Sequence, residues 1–115
     1  MKLNFKRIFF LLLIFSIPNC LYAGDLLLGK EKAAIVCAAC HGMDGQAASG
    51  GNSSLTPNIT AQEKEYLLAK LKDYKSGKIN HPQMSLIAQM LSAEDIENVS
   101  EWYSKIKISI ELPSE

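Results

Sequence analysis

The chain has 115 residues, its 12 basic and 12 acidic side chains cancel to a formal net charge of +0, and it holds only three cysteines. The cancellation hides an asymmetry, because residues 1–23 contain Lys2, Lys6 and Arg7 and no acidic group, which leaves residues 24–115 with 9 basic and 12 acidic side chains. A body carrying a net charge of about −3 has no basic stripe to neutralise phosphates, so nucleic-acid binding is disfavoured.

The N-terminus opens with Lys2, Lys6 and Arg7 and then runs apolar from residue 8 to residue 17. A basic start followed by so short an apolar run reads as a secretory signal peptide, since a spanning helix needs about 20 apolar residues. Leu21-Tyr22-Ala23 puts the expected cut after Ala23, although Leu21 stands where a small residue is usual. An uncleaved anchor and a lipid on Cys20 are the alternatives, and Ile17-Pro18-Asn19 is a poor context for the second. Residues 1–23 are therefore expected to be a signal peptide, and residues 24–115 one exported domain in the periplasm. A domain of about 92 residues buries only a little over 60% of its unfolded surface, so a large apolar cofactor would add materially to its core.

From residue 25 to residue 40 the chain is rich in helix formers. Leu26, Gly29, Ala33, Val36 and Cys40 recur at spacings of three and four, which predicts one helix with an inner face. Gly29 in its middle costs about 1 kcal/mol relative to alanine, a cost that makes sense where another helix approaches closely. The helix leads into Cys37-Ala38-Ala39-Cys40-His41. C-x-x-C-H is the spacing of covalent c-type haem attachment. On a helix, Cys37, Cys40 and His41 share one face, so two thiols reach the vinyl groups of a porphyrin while the imidazole reaches its iron. Two other readings of the pair are weaker. A dithiol redox motif is expected beside a βαβ pattern, which is absent, and a zinc site needs a second pair of ligands.

Residues 42–57, rich in Gly, Ser and Asn, read as a long loop, the kind that is usually functional in a small domain. Pro57 near its end has no N–H but a free carbonyl, able to accept the second ring proton of a metal-bound histidine. Thr60 and Glu63 then form a T-x-x-E capping box before a helix with Leu67, Leu71 and Tyr74 on its apolar stripe, ended by Gly77. Lys70, Lys72, Lys75 and Lys78 gather toward its C-terminal end, as a solvated face or as a local positive patch.

Ile79-Asn80-His81-Pro82-Gln83-Met84 is a polar turn, and residues 85–91 follow as a short apolar segment. Ser92, with Glu94 and Asp95 behind it, caps a last helix whose stripe is Ile96, Val99, Tyr103 and Ile106, with Trp102 alongside. Residues 108–115 read as a frayed tail. Met84 and His81 have the chemistry of a second iron ligand. Met84 lies far enough from His41 for the chain to pass round a haem, Met43 lies too close, and Met90 reads as core. His81 reads as a surface turn residue unless it supplies a second imidazole.

Taken in order, these segments resemble the class I c-type cytochromes, small monohaem carriers of bacterial periplasms. The resemblance runs through Cys37-Ala38-Ala39-Cys40-His41-Gly42, Pro57-Asn58-Ile59, the stretch from Tyr66 to Lys78, Met84, Leu91-Ser92-Ala93-Glu94-Asp95-Ile96 and Trp102-Tyr103. It implies an all-α fold of about four helices wrapped around one covalently attached haem c. It further implies Cys37 and Cys40 as thioethers, His41 as proximal and Met84 as distal ligand, Pro57 as orienter of His41, and a crossing of first and last helices at Gly29 and Tyr103. Where many relatives have arginine ahead of the distal loop, this chain has Lys78-Ile79-Asn80. The function implied is electron transfer between redox protein partners, without substrate turnover. Two other functions stay in view: a haem c subunit fixed to a periplasmic oxidoreductase such as a flavin-containing sulfide dehydrogenase, and a haem enzyme or gas sensor with an open distal position.

Overall fold

A computed structural model describes residues 23–51 and 54–114. The segment to residue 22, within the expected signal peptide, and Cys20 in it lie outside the described residues. Among those described there are five helices and no strand: α1 (Leu26–Val36), α2 (Ala38–His41), α3 (Lys64–Ser76), α4 (Met84–Gln89) and α5 (Ala93–Ser104).

The expected first helix stops four residues early. Asp25 caps α1, its carboxylate accepting the N–H groups of Leu27 and Leu28, and its own N–H donates to the Asn98 side chain of α5 at 2.7 Å. The helix ends at Val36. Cys37 caps it and opens the single turn of α2, its carbonyl taking the N–H of both Cys40 and His41. The bend corrects the predicted inner face: Gly29 and Ala33 are buried, whereas Leu26 and Cys40 are exposed. Gly29 explains why α1 and α5 lie so close. A Cβ there would strike the Asn98 carbonyl, with its carbon at 2.8 Å, and the Trp102 Cβ at 3.2 Å.

α3 buries Leu67 of its predicted stripe and Leu68 beside it, leaves Leu71 and Tyr74 half-buried, and ends at Gly77, whose φ of 78° is the left-handed value that glycine adopts without strain. Its start corrects the sequence reading. The cap residue is Glu63, without a side-chain cap bond, because Thr60 is turned away and its hydroxyl donates to the Asp44 carbonyl at 2.6 Å. Ala61 causes the turn by adopting φ 54°, an uncommon value for a residue with a Cβ.

α5 has the capping box that α3 lacks. Ser92 accepts from the Asp95 N–H, and the Asp95 carboxylate accepts from the Ser92 N–H. Ile96, Val99 and Tyr103 are buried as the stripe predicts. Two apolar clusters make the core, one of Ala33, Leu67 and Tyr103 with Cys37 and Trp102 against it, the other of Leu68, Leu91 and Ile96 with Val36 and Leu71. Met90, expected in the core, is 69% exposed, because it caps the end of α4 while Ala88 and Leu91 take the buried positions.

Opposite charges join α3 to α5. Lys64 meets Glu101 at 2.9 Å and Glu97 at 3.6 Å, and Lys72 meets Glu97 at 3.5 Å. Of the lysines read as a solvated face or a positive patch, Lys72 and Lys78 pair with Glu97 and Asp73, and Lys75 is turned toward the carbonyls of Ala88, Gln89 and Leu91. Residues 106–114 have no regular structure, and Ile108, Ile110 and Leu112 are exposed.

Candidate functional site

The bend at Cys37 turns three chemically active side chains to different surroundings. Cys37 is half-buried against the Ala33, Leu67 and Tyr103 cluster, Cys40 is exposed, and His41 is buried with 8% exposure. Both cysteines are free thiols. Burial pushes the Cys37 thiol up to about 11, against a lesser opposing pull from a hydrogen bond with Tyr103. Among the described residues, no group of three or more His, Cys, Asp or Glu side chains lies together as a metal site.

His41 is oriented from behind. Its Nδ1 lies 3.0 Å from the carbonyl oxygen of Pro57, sixteen residues on. A carbonyl only accepts, so the ring carries its proton on Nδ1 and keeps Nε2 as a free lone pair. Burial lowers the imidazole's affinity for a second proton, and the Pro57 bond opposes that less strongly. The neutral ring, with one nitrogen engaged by a carbonyl, is the form in which histidine binds metals.

The loop between His41 and Pro57 holds this geometry. Gly42 turns the chain out of α2 at φ 74°, where a Cβ would meet the Gln46 carbonyl at 2.6 Å. The Asp44 carboxylate accepts the Gln46 N–H at 2.9 Å and the Ser49 hydroxyl at 2.8 Å. The Asn58 side chain accepts the Ala47 N–H at 2.9 Å, and the Ile59 N–H reaches the Gly45 carbonyl at 2.8 Å. Pro57 is thus carried between anchored neighbours.

α5 closes the loop from the other side, through residues whose apolar bodies alone were legible in the sequence. The buried Tyr103 hydroxyl donates to the Gly42 carbonyl at 3.0 Å, next to His41, and the Trp102 indole N–H donates to the Met43 carbonyl at 3.1 Å. The Tyr103 carbonyl accepts from Ala61 at 3.0 Å. Burial, with smaller contributions from Cys37 and Asp44, raises the Tyr103 phenol, so it remains a donor across the physiological range. An aromatic pair at the end of a helix signals packing; its polar atoms find partners only once the loop is folded.

The structure therefore brings Cys37, Cys40, His41 and Pro57 together. Met84 stands on a separate element, as the first residue of α4 rather than in the loop before it, and is half-buried. Met43 gives its carbonyl to Trp102, and His81 is exposed, with its ring edge toward Tyr74.

Two adjacent thiols, a buried imidazole with one nitrogen engaged and its other lone pair free, and a thioether on another helix form a donor set suited to a covalently attached haem. The family model described as Cytochrome c matches residues 27–107. The chain is 40% identical over 85 residues to cytochrome c-554(548) of Halomonas halodenitrificans, covering 71% of this chain and 96% of that one. It is 30% identical over 76 residues to the cytochrome subunit of sulfide dehydrogenase of Chlorobaculum tepidum, covering 66% of this chain and 64% of that one. Among solved structures it is similar to reduced recombinant cytochrome c4 from Pseudomonas stutzeri, with a TM-score of 0.65 and 31% identity over 76% of this chain and 48% of that one. The chain spans less than half the length of the curated cytochromes c4 that it matches.

Proposed function

We proceed from one fact, that the chain belongs to the cytochrome c family of electron carriers with covalently attached haem c, and propose how its own residues divide the work. Cys37 and Cys40 would hold a haem c through two thioether bonds, and its iron would be ligated by His41 through Nε2 and by Met84 through its thioether sulfur. Held in this way, a haem would supply one-electron chemistry. The observation that carries the reading is the 3.0 Å contact between His41 Nδ1 and the Pro57 carbonyl at a buried ring beside paired thiols.

Every other part is the protein's. Pro57 fixes the plane and tautomer of His41 and makes Nε2 a stronger donor. Tyr103 and Trp102 hold the carbonyls on either side of the loop's start, so that the ring does not swing when the charge at its far nitrogen changes. Met84 is a neutral, soft ligand that favours the reduced state more than a second imidazole does. With His41 and Met84 both as ligands, no position on the iron would be left for a substrate, and the chain would pass electrons between redox proteins. Residues 1–23 act as a signal peptide that delivers residues 24–115 to the periplasm. No helix among the described residues is long and apolar enough to cross a membrane.

The similarity to a sulfide dehydrogenase subunit supports a second reading, in which the domain is bound to one oxidoreductase instead of meeting several partners. Purification from the native host separates the two, since a fixed subunit co-elutes with its enzyme and a free carrier elutes alone. The site itself is tested by absorption spectra of the purified protein, oxidised and reduced, with and without carbon monoxide. A low-spin spectrum with a sulfur-to-iron charge-transfer band, unaltered by the gas, is expected; a high-spin spectrum that the gas shifts would replace the carrier with a sensor or an enzyme.

A further inference from the structure

His81 has no part in the ligand set just described, yet its ring and backbone organise the start of α4. Nδ1 of its ring accepts the backbone N–H of Gln83 at 3.3 Å and of Met84 at 3.2 Å. The His81 N–H donates to the Ser85 hydroxyl at 3.0 Å, and the Ser85 N–H returns to the His81 carbonyl at 3.0 Å. That same hydroxyl donates to the Ile79 carbonyl at 3.3 Å. The ring also meets Tyr74 of α3 edge-on, with centroids 5.9 Å apart and planes at 68°.

Helices begin with N–H groups that lack an intrahelical partner, and a cap side chain usually takes one of them. Gln83, in the cap position of α4, makes no side-chain cap bond. His81, two residues earlier, supplies the acceptor instead. The bond matters more here than in a long helix, because α4 has only six residues, well short of the length at which a helix stands by itself. Its first residue is Met84. The group that starts the helix therefore also holds the backbone from which the sulfur projects, while the ring edge ties that point to α3.

We propose that His81 is a positioning residue for Met84, fixing its backbone through the Nδ1 bonds and locating the first turn of α4 against Tyr74. The proposal rests on the reading that Met84 is the distal ligand. It assigns His81 a place behind the methionine comparable to that of Pro57 behind His41. The two differ in construction, because Pro57 acts through a backbone carbonyl and His81 through its side chain, which substitution can remove.

Three variants of the haem-loaded full chain separate the parts of this role. His81→Phe keeps a ring beside Tyr74 and loses the acceptor, His81→Asn keeps a cap acceptor and loses the ring, and His81→Ala loses both. The measurement is the rate at which added imidazole displaces the methionine, followed by loss of the sulfur-to-iron charge-transfer band, with Met84→Ala as control. Loss of the cap acceptor alone speeds displacement by about fivefold in His81→Phe, loss of acceptor and ring together by about tenfold in His81→Ala, and loss of the ring alone by no more than about twofold in His81→Asn. Equal rates in all four proteins would overturn the proposal, and so would a His81→Asn rate as fast as that of His81→Ala. Survival of the charge-transfer band in Met84→Ala would instead overturn the ligand assignment underneath, whatever the His81 variants do.

Discussion

The two sides of the site are built on different principles. The histidine side is held by bonds between residues far apart in sequence: Tyr103 to Gly42 across 61 residues, Trp102 to Met43 across 59, and Asp25 to Asn98 across 73. The methionine side is held mostly by bonds closed within six residues, among Ile79, His81, Gln83, Met84 and Ser85. Its longer ties are the reciprocal pair between Lys75 and Gln89 and the reach of Lys75 to Leu91. The lesson is one of stability. The histidine side is expected to open only with the global fold, whereas the bonds that start α4 are local and are expected to open while the rest stays folded.

The strongest way to break the histidine side is at the helix crossing. Gly29→Val sets a branched side chain against the Asn98 backbone, where neither helix yields without moving the other. Overpacking of this kind is expected to destabilise by about 3 kcal/mol or more. For a domain of this size that lowers the melting temperature of the haem-loaded protein by about 12 °C or more. A melt within a few degrees of the parent would show that the crossing is looser than the structure has it. Tyr103→Phe is the next largest. It leaves the buried Gly42 carbonyl without its donor, at a cost of about 2 kcal/mol, and should loosen the His41 loop while leaving the Met84 charge-transfer band in place. Loss of that band at unchanged stability would mean that the two sides are coupled.

The same contrast decides what was legible in the sequence. Periodicity and cap chemistry located α3, α5 and the start of α1, since helix spacing, Ser92 with Asp95, and Gly77 are local signals. The Pro57 carbonyl was legible as a candidate because proline leaves so few backbone options. The interruption at Cys37 was not, since β-branched Ile35 and Val36 lower helix propensity only slightly, and the packing of Cys37 against Ala33, Leu67 and Tyr103 joins residues far apart in sequence. Thr60 and Glu63 match a capping box by pattern, but Asp44 claims the hydroxyl from sixteen residues away. Met90 looked like core because its segment is apolar, and six residues of helix supply too few turns to show which side faces in. His81 as a cap was hidden for a different reason: histidine is an unusual choice there, and the acceptor lies two residues ahead of the expected position.

On the methionine side, Lys75→Met removes the cation that meets the Leu91 carbonyl at 2.5 Å and those of Ala88 and Gln89 at 3.4 Å. The methionine keeps the packing volume of the stem, so the change reports the bonds alone, and about 1 kcal/mol of stability is expected to go. Because α4 is a local unit, hydrogen exchange of its amides should quicken more than that of α1 or α5. Uniform acceleration across all helices would erase the distinction between the two sides.

The smallest effect concerns the acidic side chains of α5. Burial tends to raise the Asp95 carboxyl, but the Ser92 N–H, the Lys32 ammonium at 3.1 Å and the Ser92 hydroxyl together outweigh it, so its pKa lies below the usual carboxylate value. Glu101 is lowered chiefly by its bond to Lys64. A carboxyl whose folded pKa is depressed contributes stability that is fully present above its unfolded pKa, about 4, and lost as pH falls through the lower folded value. The pH window is therefore below about 4. Asp95→Asn retains an oxygen acceptor for Ser92 and gives up the ion pair with Lys32, so it should lower stability slightly at neutral pH and make the decline below about pH 4 shallower. Since Asp95 starts the helix that carries Tyr103 and Trp102, the acid-sensitive feature belongs to the side that opens only with the whole fold. Acid unfolding in the parent protein should then register in helix content; loss of the methionine charge-transfer band with helix content intact would place the acid-labile step in α4 and not in α5.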